Sequence, residues 1–221
     1  MKFSYPEIET VFSFDEGRFP SLVVENPCLF YRVVDDLYNQ VCGEEGQCVL
    51  SEDDEVLPIA GNLELLTNFF PFEINQKNLL NKIIAKLERH SSTVDYYERS
   101  QLLLSQIEKF IYDLAYENDF ELELPRLSIG SLLKASGIRL KEEYPSLIEK
   151  LLVYMDLMVS NGFSCVFVLV NLRSFVDDKT MELFTDSCCR KGCNIFLIDN
   201  REYAKLSRED RTVVDSDLCE I

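Results

Sequence analysis

Two short, almost wholly apolar runs separated by one helix-length segment constrain this chain more than any other feature. Phe163-Ser-Cys-Val-Phe-Val-Leu-Val170 and Asn194-Ile-Phe-Leu-Ile-Asp199 are rich in Val, Ile and Phe, and an acid-opened stretch from Asp177 to Arg190, closed by Gly192, lies between them. Runs of this kind without polar alternation suit strands covered on both faces, and a crossover helix between two of them makes a βαβ unit of a parallel sheet. Parallel sheets usually meet ligands just past the carboxyl ends of their strands. Asn171, Arg173, Asp199 and Arg201 hold those positions here.

A chain of 221 residues can bury one substantial core with an appendage. The expected organisation is an α/β core domain of residues 1–74 and 145–221, interrupted by an α-helical arm of residues 75–144. No apolar run approaches the roughly 18 residues that would cross a bilayer, and the Met-Lys-Phe-Ser-Tyr-Pro start lacks the apolar centre of a signal peptide. The expectation is a soluble, cytoplasmic protein with no membrane partner. Three of the eight cysteines crowd into Cys188-Cys189-Arg-Lys-Gly-Cys193, and the single histidine is His90, so free thiols are expected in place of disulfides or a zinc site.

The formal charge of −17 argues against nucleic acid until its distribution is considered. Residues 1–75 hold three basic against fifteen acidic residues, whereas residues 76–111 hold six against four, a local excess of +2. One segment is basic within an acidic chain.

Strand-like runs around Pro6 open the chain, followed by a turn at Asp15-Glu16-Gly17 and a buried strand at Ser21–Glu25. Asn26-Pro27 reads as a helix start, with Asn as cap and Pro at the first helical position. A strand, turn and helix could form a phosphate cradle, but that needs a glycine-containing turn ending in Lys and Ser or Thr. Glu25-Asn26-Pro27-Cys28 has no glycine and no lysine, and places an acid where phosphate would sit. Nucleotide binding is not expected there. Gln47–Leu50 and Val56–Ile59, around Glu52-Asp53-Asp54-Glu55, read as a hairpin with a solvated acidic tip; Leu63–Phe70 is a short apolar helix or strand.

In the arm, Asn75 is the expected start of a helix to about Arg89, with Leu79, Leu80, Ile83, Ile84 and Leu87 on one face. Lys82, Lys86 and Arg89 form a stripe away from that face. A solvated helix face is the plain alternative to a binding stripe. Ser92 with Asp95 resembles a capping box for a second long helix, Val94–Glu117, and Leu127–Ser136 is a third, short helix near Lys134. Asp119, Glu121 and Glu123 alternate, and in an extended segment such acids share a side that a hard cation could use. Pro145 then begins an apolar helix over Leu147–Val159, and Thr212–Leu218 reads as an edge strand.

Several stretches together resemble one family, the type II-A CRISPR-associated protein Csn-two family of spacer acquisition. They are Leu22-Val-Val-Glu-Asn-Pro-Cys28 running into Phe30 and Val33-Val34, Glu73-Ile-Asn75 leading into Leu79–Glu88, and the Ser136-Gly-Ile-Arg139 turn. Ile148-Glu-Lys leading to Phe167-Val-Leu-Val-Asn171, Phe196-Leu-Ile-Asp-Asn-Arg201-Glu202 and Asp215-Ser-Asp217 complete the set. The match is collinear over nearly the whole chain. The resemblance implies a parallel-sheet core like that of a P-loop ATPase (RecA-like) without nucleotide motifs, carrying an inserted helical arm. It implies a non-enzymatic, ring-shaped homotetramer that holds double-stranded DNA, preferentially ends, in a basic channel. It also implies calcium in support of the assembly and, as partners, the CRISPR spacer integrase complex and the type II-A effector nuclease. On local charge, the DNA-contacting candidates are Lys82, Lys86, Arg89, Lys134 and Arg173. Calcium would fall to Glu117, Asp119, Glu121 and Glu123; Pro125, Arg126 and Ser131 stand where relatives tend to carry acids. Two other readings compete with this one: an interaction scaffold of the same fold that bridges adaptation partners without DNA, and a metal-dependent nuclease using Asp199 and Asp177.

Overall fold

A computed structural model describes residues 1–15, 17–53, 55–163 and 166–221. Glu16 of the expected turn, Asp54 of the acidic hairpin tip, and Ser164 and Cys165 of the first apolar run lie outside the described residues. In chain order the strands are β1 (Lys2–Ser4), β2 (Phe12–Ser13), β3 (Phe19–Val24), β4 (Val49–Glu52), β5 (Glu55–Leu57), β6 (Leu63–Leu66), β7 (Val166–Val170), β8 (Asn194–Asp199) and β9 (Glu209–Val214). The helices are α1 (Pro27–Val41), α2 (Lys77–Ser91), α3 (Val94–Glu117), α4 (Ile129–Ala135), α5 (Leu147–Ser160) and α6 (Asp178–Lys191). The chain divides into two compact units, one of Met1–Phe72 with Tyr144–Ile221 and one of Glu73–Glu143. No described helix is long and apolar enough to cross a membrane.

The larger unit is mixed α/β. Its main sheet has five parallel strands in the order β6-β7-β8-β3-β9. Every residue of β7 is buried, as are all but the first of β8, which is the physical reason both runs lack polar alternation. On one face Leu22, Val24, Val168, Phe196 and Ile198 join Leu29, Val33 and Leu37 of α1. Phe3 and Phe12, from an antiparallel sheet ordered β2-β1-β4-β5, bring their rings to 5.3 and 4.8 Å from that of Phe196. The buried side chains of α5 and α6, among them Leu151, Met155, Met181 and Phe184, supply further core. α6 is capped by Asp177, which accepts from the Thr180 amide at 3.0 Å, and ends at Gly192 in the left-handed conformation, φ +68°.

Several boundaries differ from the sequence reading: the hairpin strands fall at Val49–Glu52 and Glu55–Leu57, so that Glu52 and Glu55 pair across it, and β3 begins two residues earlier than expected. The last strand is an edge strand but begins at Glu209, where main-chain pairing with Phe19 starts. It ends at Val214 because the Asp215 carboxylate turns back on the Asp217 and Cys219 amides, at 2.9 and 2.8 Å. Leu63–Phe70 is resolved as a strand over its first four residues only.

The smaller unit is helical, with α2 packed against α3 and α4. Asn75 does not cap α2. Its carboxamide accepts from the Leu140 amide at 2.7 Å and donates to Glu142 Oε1 at 2.7 Å, tying the two ends of this unit together, while Gln76 occupies the cap position. Nor do Ser92 and Asp95 form a capping box. Thr93 is the cap residue of α3, and the Ser92 hydroxyl donates backwards to the Glu88 carbonyl. The reciprocal cap belongs to α4, between Ser128 and Ser131, and Glu88 Oε1 also accepts from the Gly130 amide at 3.1 Å. A Cβ at residue 130 would stand 2.2 Å from Glu88 Oε2, so glycine is what admits that carboxylate to the helix start.

Candidate nucleic-acid interface

In the helical unit, Leu79 and Ile84 of α2 are buried while Lys82, Lys86 and Arg89 are exposed. Leu87, expected on the apolar face, is 43% exposed, so that face is narrower than its pattern suggests. Lys134 lies exposed in the last turn of α4, the short helix packed on α2. Four of the five expected DNA contacts thus share two adjoining helices. The charge of the two units points the same way. The helical unit holds ten basic and twelve acidic residues, −2, whereas the α/β unit holds twelve and twenty-seven, −15.

The fifth candidate, Arg173, is a correction. It sits in a single 3-10 turn, Leu172–Ser174, just after β7, and is only 4% exposed. Its Nη2 donates to Asp178 Oδ1 at 2.9 Å and to the Ala204 carbonyl at 2.7 Å, and its Nη1 lies 3.9 Å from Glu209 Oε2. Those internal partners take the guanidinium away from solvent, so Arg173 organises the core instead of meeting a phosphate.

Glu209 and Arg211 complete this buried polar layer. Arg211 Nη2 donates to Glu209 Oε2 at 2.8 Å and Ser21 Oγ to Glu209 Oε1 at 2.6 Å. Burial pushes Glu209 up, but hydrogen bonds from Arg211, Ser21 and the Leu206 amide prevail and hold it below the usual glutamate range. Asp199, at the end of β8, is treated differently. Burial pushes its carboxyl up to about 7, with Arg173 opposing, and among the described residues Oδ1 has no hydrogen-bond partner. The strand-end positions marked Arg173 and Asp199 in the sequence; Glu209 and Arg211 were missed, and the signal that could have found them is their opposite charge at alternate residues, on one side of a strand.

The acids proposed for calcium are not drawn together. Glu117 ends α3, Asp119 follows with φ +56°, and Glu121 and Glu123 are exposed in irregular chain. Among the described residues no three His, Cys, Asp or Glu side chains are grouped to hold a metal ion. Asp177 is engaged as the α6 cap, and hydrogen bonds from Thr180 lower its pKa. Cys188, Cys189 and Cys193 are free, with burial pushing all three thiols up.

At the β3–α1 turn only Glu25 and Asn26 separate strand from helix. Asn26 Oδ1 accepts from the Cys28 and Leu29 amides at 3.0 and 3.1 Å, so the donors that could cradle a phosphate are already satisfied.

The family model for CRISPR-associated protein (Cas_Csn2) matches residues 40–218. The chain belongs to the Cas_Csn2 family. Its role is therefore CRISPR-associated, and the match runs through both units, from the end of α1 to beyond β9. No curated protein matches the chain.

Proposed function

We propose that this Cas_Csn2 protein is a non-enzymatic holder of double-stranded DNA ends that acts in CRISPR adaptation. The carrying observation is the exposed stripe of Lys82, Lys86 and Arg89 on the one unit that is nearly charge-balanced. Lys134 adds to it from α4. Such residues bind the phosphate backbone without reading bases, and ring closure around the duplex supplies the preference for ends. The core is a P-loop-ATPase-like (RecA-like) sheet whose cradle has been replaced by the Asn26 cap, so no nucleotide takes part.

The assembly is a homotetramer in the cytoplasm, working with the spacer integrase complex and the type II-A effector nuclease. Support for self-association comes from α3, where only Ala115 is buried. Tyr96, Leu103, Phe110 and Leu114 recur at intervals of seven, seven and four residues, and all four are exposed, Phe110 by 62%. That is the seam of a helix waiting for another helix. Calcium, in support of the assembly, would be held by Glu117, Asp119, Glu121 and Glu123 if subunit contacts brought these acids together.

A second reading is favoured by the −15 charge of the α/β unit: a scaffold that bridges basic partners without DNA. Gel shift of linear against closed circular duplex separates the two. An end-threading ring shifts the linear probe alone, a scaffold shifts neither, and degradation of the probe in the presence of a divalent metal would return a nuclease. Light scattering with and without calcium gives the subunit number.

A further inference from the structure

Just past β8, the α/β unit presents a cation that the reading above does not use. Arg201 is exposed, and its guanidinium carbon lies 4.8 Å from the centre of the Tyr203 ring. The guanidinium of buried Arg173 lies 4.6 Å from the same ring. Tyr203 and the residue after it are held at three further points. The Tyr203 hydroxyl is 3.0 Å from Ser174 Oγ, the carbonyl of the same residue accepts from Arg211 Nη1 at 2.7 Å, and the next carbonyl, of Ala204, accepts from Arg173 Nη2 at 2.7 Å. The ring beside Arg201 is therefore braced by buried Arg173, by Arg211 and by the exposed hydroxyl of Ser174.

Fixing matters because an unrestrained arginine loses rotamer freedom when it binds, and that loss subtracts from affinity. Stacking on a braced ring removes part of it before any ligand arrives. Arg201 acts on the buried Asp199 carboxyl only from beyond ion-pair distance. Of the basic residues of this unit, Arg18, Arg32, Arg173, Arg190, Lys191, Arg208 and Arg211 are paired with carboxylates. Among the described residues no carboxylate forms an ion pair with Arg201, and its neighbour Glu202 faces Arg211 Nη1 at 3.5 Å instead. Lys179, also exposed, follows the Asp178 that binds Arg173. The location is the carboxyl end of a parallel sheet, where such folds meet their ligands.

We infer that Arg201, seated on Tyr203, is a backbone-phosphate contact of the α/β unit, engaging duplex DNA in addition to the basic stripe of the helical unit. This rests on the DNA-holding reading. Its fork of N–H donors suits two oxygens of one phosphodiester and carries no base information. One cation does not reverse the −15 of the unit; it sets where along that surface the backbone can approach.

The test is fluorescence anisotropy with a fluorescein-labelled linear duplex across a salt series, using the full chain and Arg201→Gln, Arg201→Lys and the triple Lys82→Gln, Lys86→Gln, Arg89→Gln. Arg201→Gln is expected to weaken binding about fivefold at low salt and to lower the log-log salt slope by roughly 0.9 per contacting subunit. Its melting temperature should match the parent, because the bracing bonds beneath it remain. Arg201→Lys keeps the slope and loses about threefold in affinity, since an ammonium retains the charge without the planar fork. Arg201→Gln with unchanged affinity and slope, while the triple variant loses both, would overturn the Arg201 assignment and leave the DNA reading standing. A parent protein that binds no duplex would remove both.

Discussion

Among the described residues, neither Asp199 Oδ1 nor Arg173 Nε, both buried, has a hydrogen-bond partner, although Arg173 is the positive charge that acts most strongly on the Asp199 carboxyl. The arginine directs Nη2 at Asp178 and Ala204 and Nη1 toward Glu209, leaving the aspartate under-compensated at the end of β8. This has a consequence for stability against pH. The folded pKa, pushed up to about 7 by burial, exceeds that of the unfolded chain, so the folded state binds the extra proton. The associated stability is full below the unfolded aspartate pKa, near 4, and is lost as pH rises through 7. Asp199→Asn should reduce the fall in denaturation free energy between pH 5 and pH 8 by on the order of 3 kcal/mol. Chemical denaturation of both proteins at the two pH values checks it, and parallel pH profiles would count against a shifted Asp199.

Arg173 should behave as a structural residue. Arg173→Leu removes the donors to Asp178 and Ala204 and leaves Glu209 with less compensation, so a loss of roughly 3 kcal/mol is expected. Urea midpoints report it. A variant as stable as the parent would show that Arg211 alone sustains the buried layer.

The stripe on α2 should do the reverse. Replacing Lys82, Lys86 and Arg89 together with Gln should weaken binding to linear duplex whatever its sequence, and lower the salt slope by roughly 0.9 for each phosphate no longer neutralised. Stability should move by no more than about 0.5 kcal/mol per substitution, because all three side chains are exposed. A triple variant that keeps its oligomeric state, affinity and salt slope would return these residues to a solvated helix face.

On α3, Leu103→Asp with Phe110→Asp should lower the mass measured by light scattering while leaving the far-ultraviolet circular dichroism of the chain intact. Both side chains are exposed within one subunit, so their apolar surface has value only between subunits. An unchanged mass would place the subunit interface elsewhere.

Local chemistry made much of the fold legible. The apolar runs at β7 and β8 announced a parallel sheet because strands buried on both faces cannot alternate, and Asn26-Pro27, Asp177 and Gly192 marked helix ends through their own hydrogen bonds and backbone preferences. Charge periodicity likewise marked Lys82, Lys86 and Arg89 as one exposed stripe. Where local signals competed, they misled: Ser92 and Asp95 looked like a cap, yet Thr93 starts α3, since a hydroxyl so close to the preceding turn can bond backwards as readily as forwards.

The sequence alone determined the elements, their periodicity and the family likeness, because each rests on neighbours within a turn or a strand of one another. Only the tertiary structure decided what the charged residues at the strand ends do. Arg173, Asp199, Tyr203 and Glu209 come from three separate segments, and whether a guanidinium is sealed inside or offered to a phosphate depends not only on nearby Asp178 but on the Ala204 carbonyl and the Glu209 carboxylate, each more than thirty residues away. Arg173 and Arg201 look alike in the sequence. Burial and partners make one a part of the core and leave the other at the surface, with its charge facing solvent.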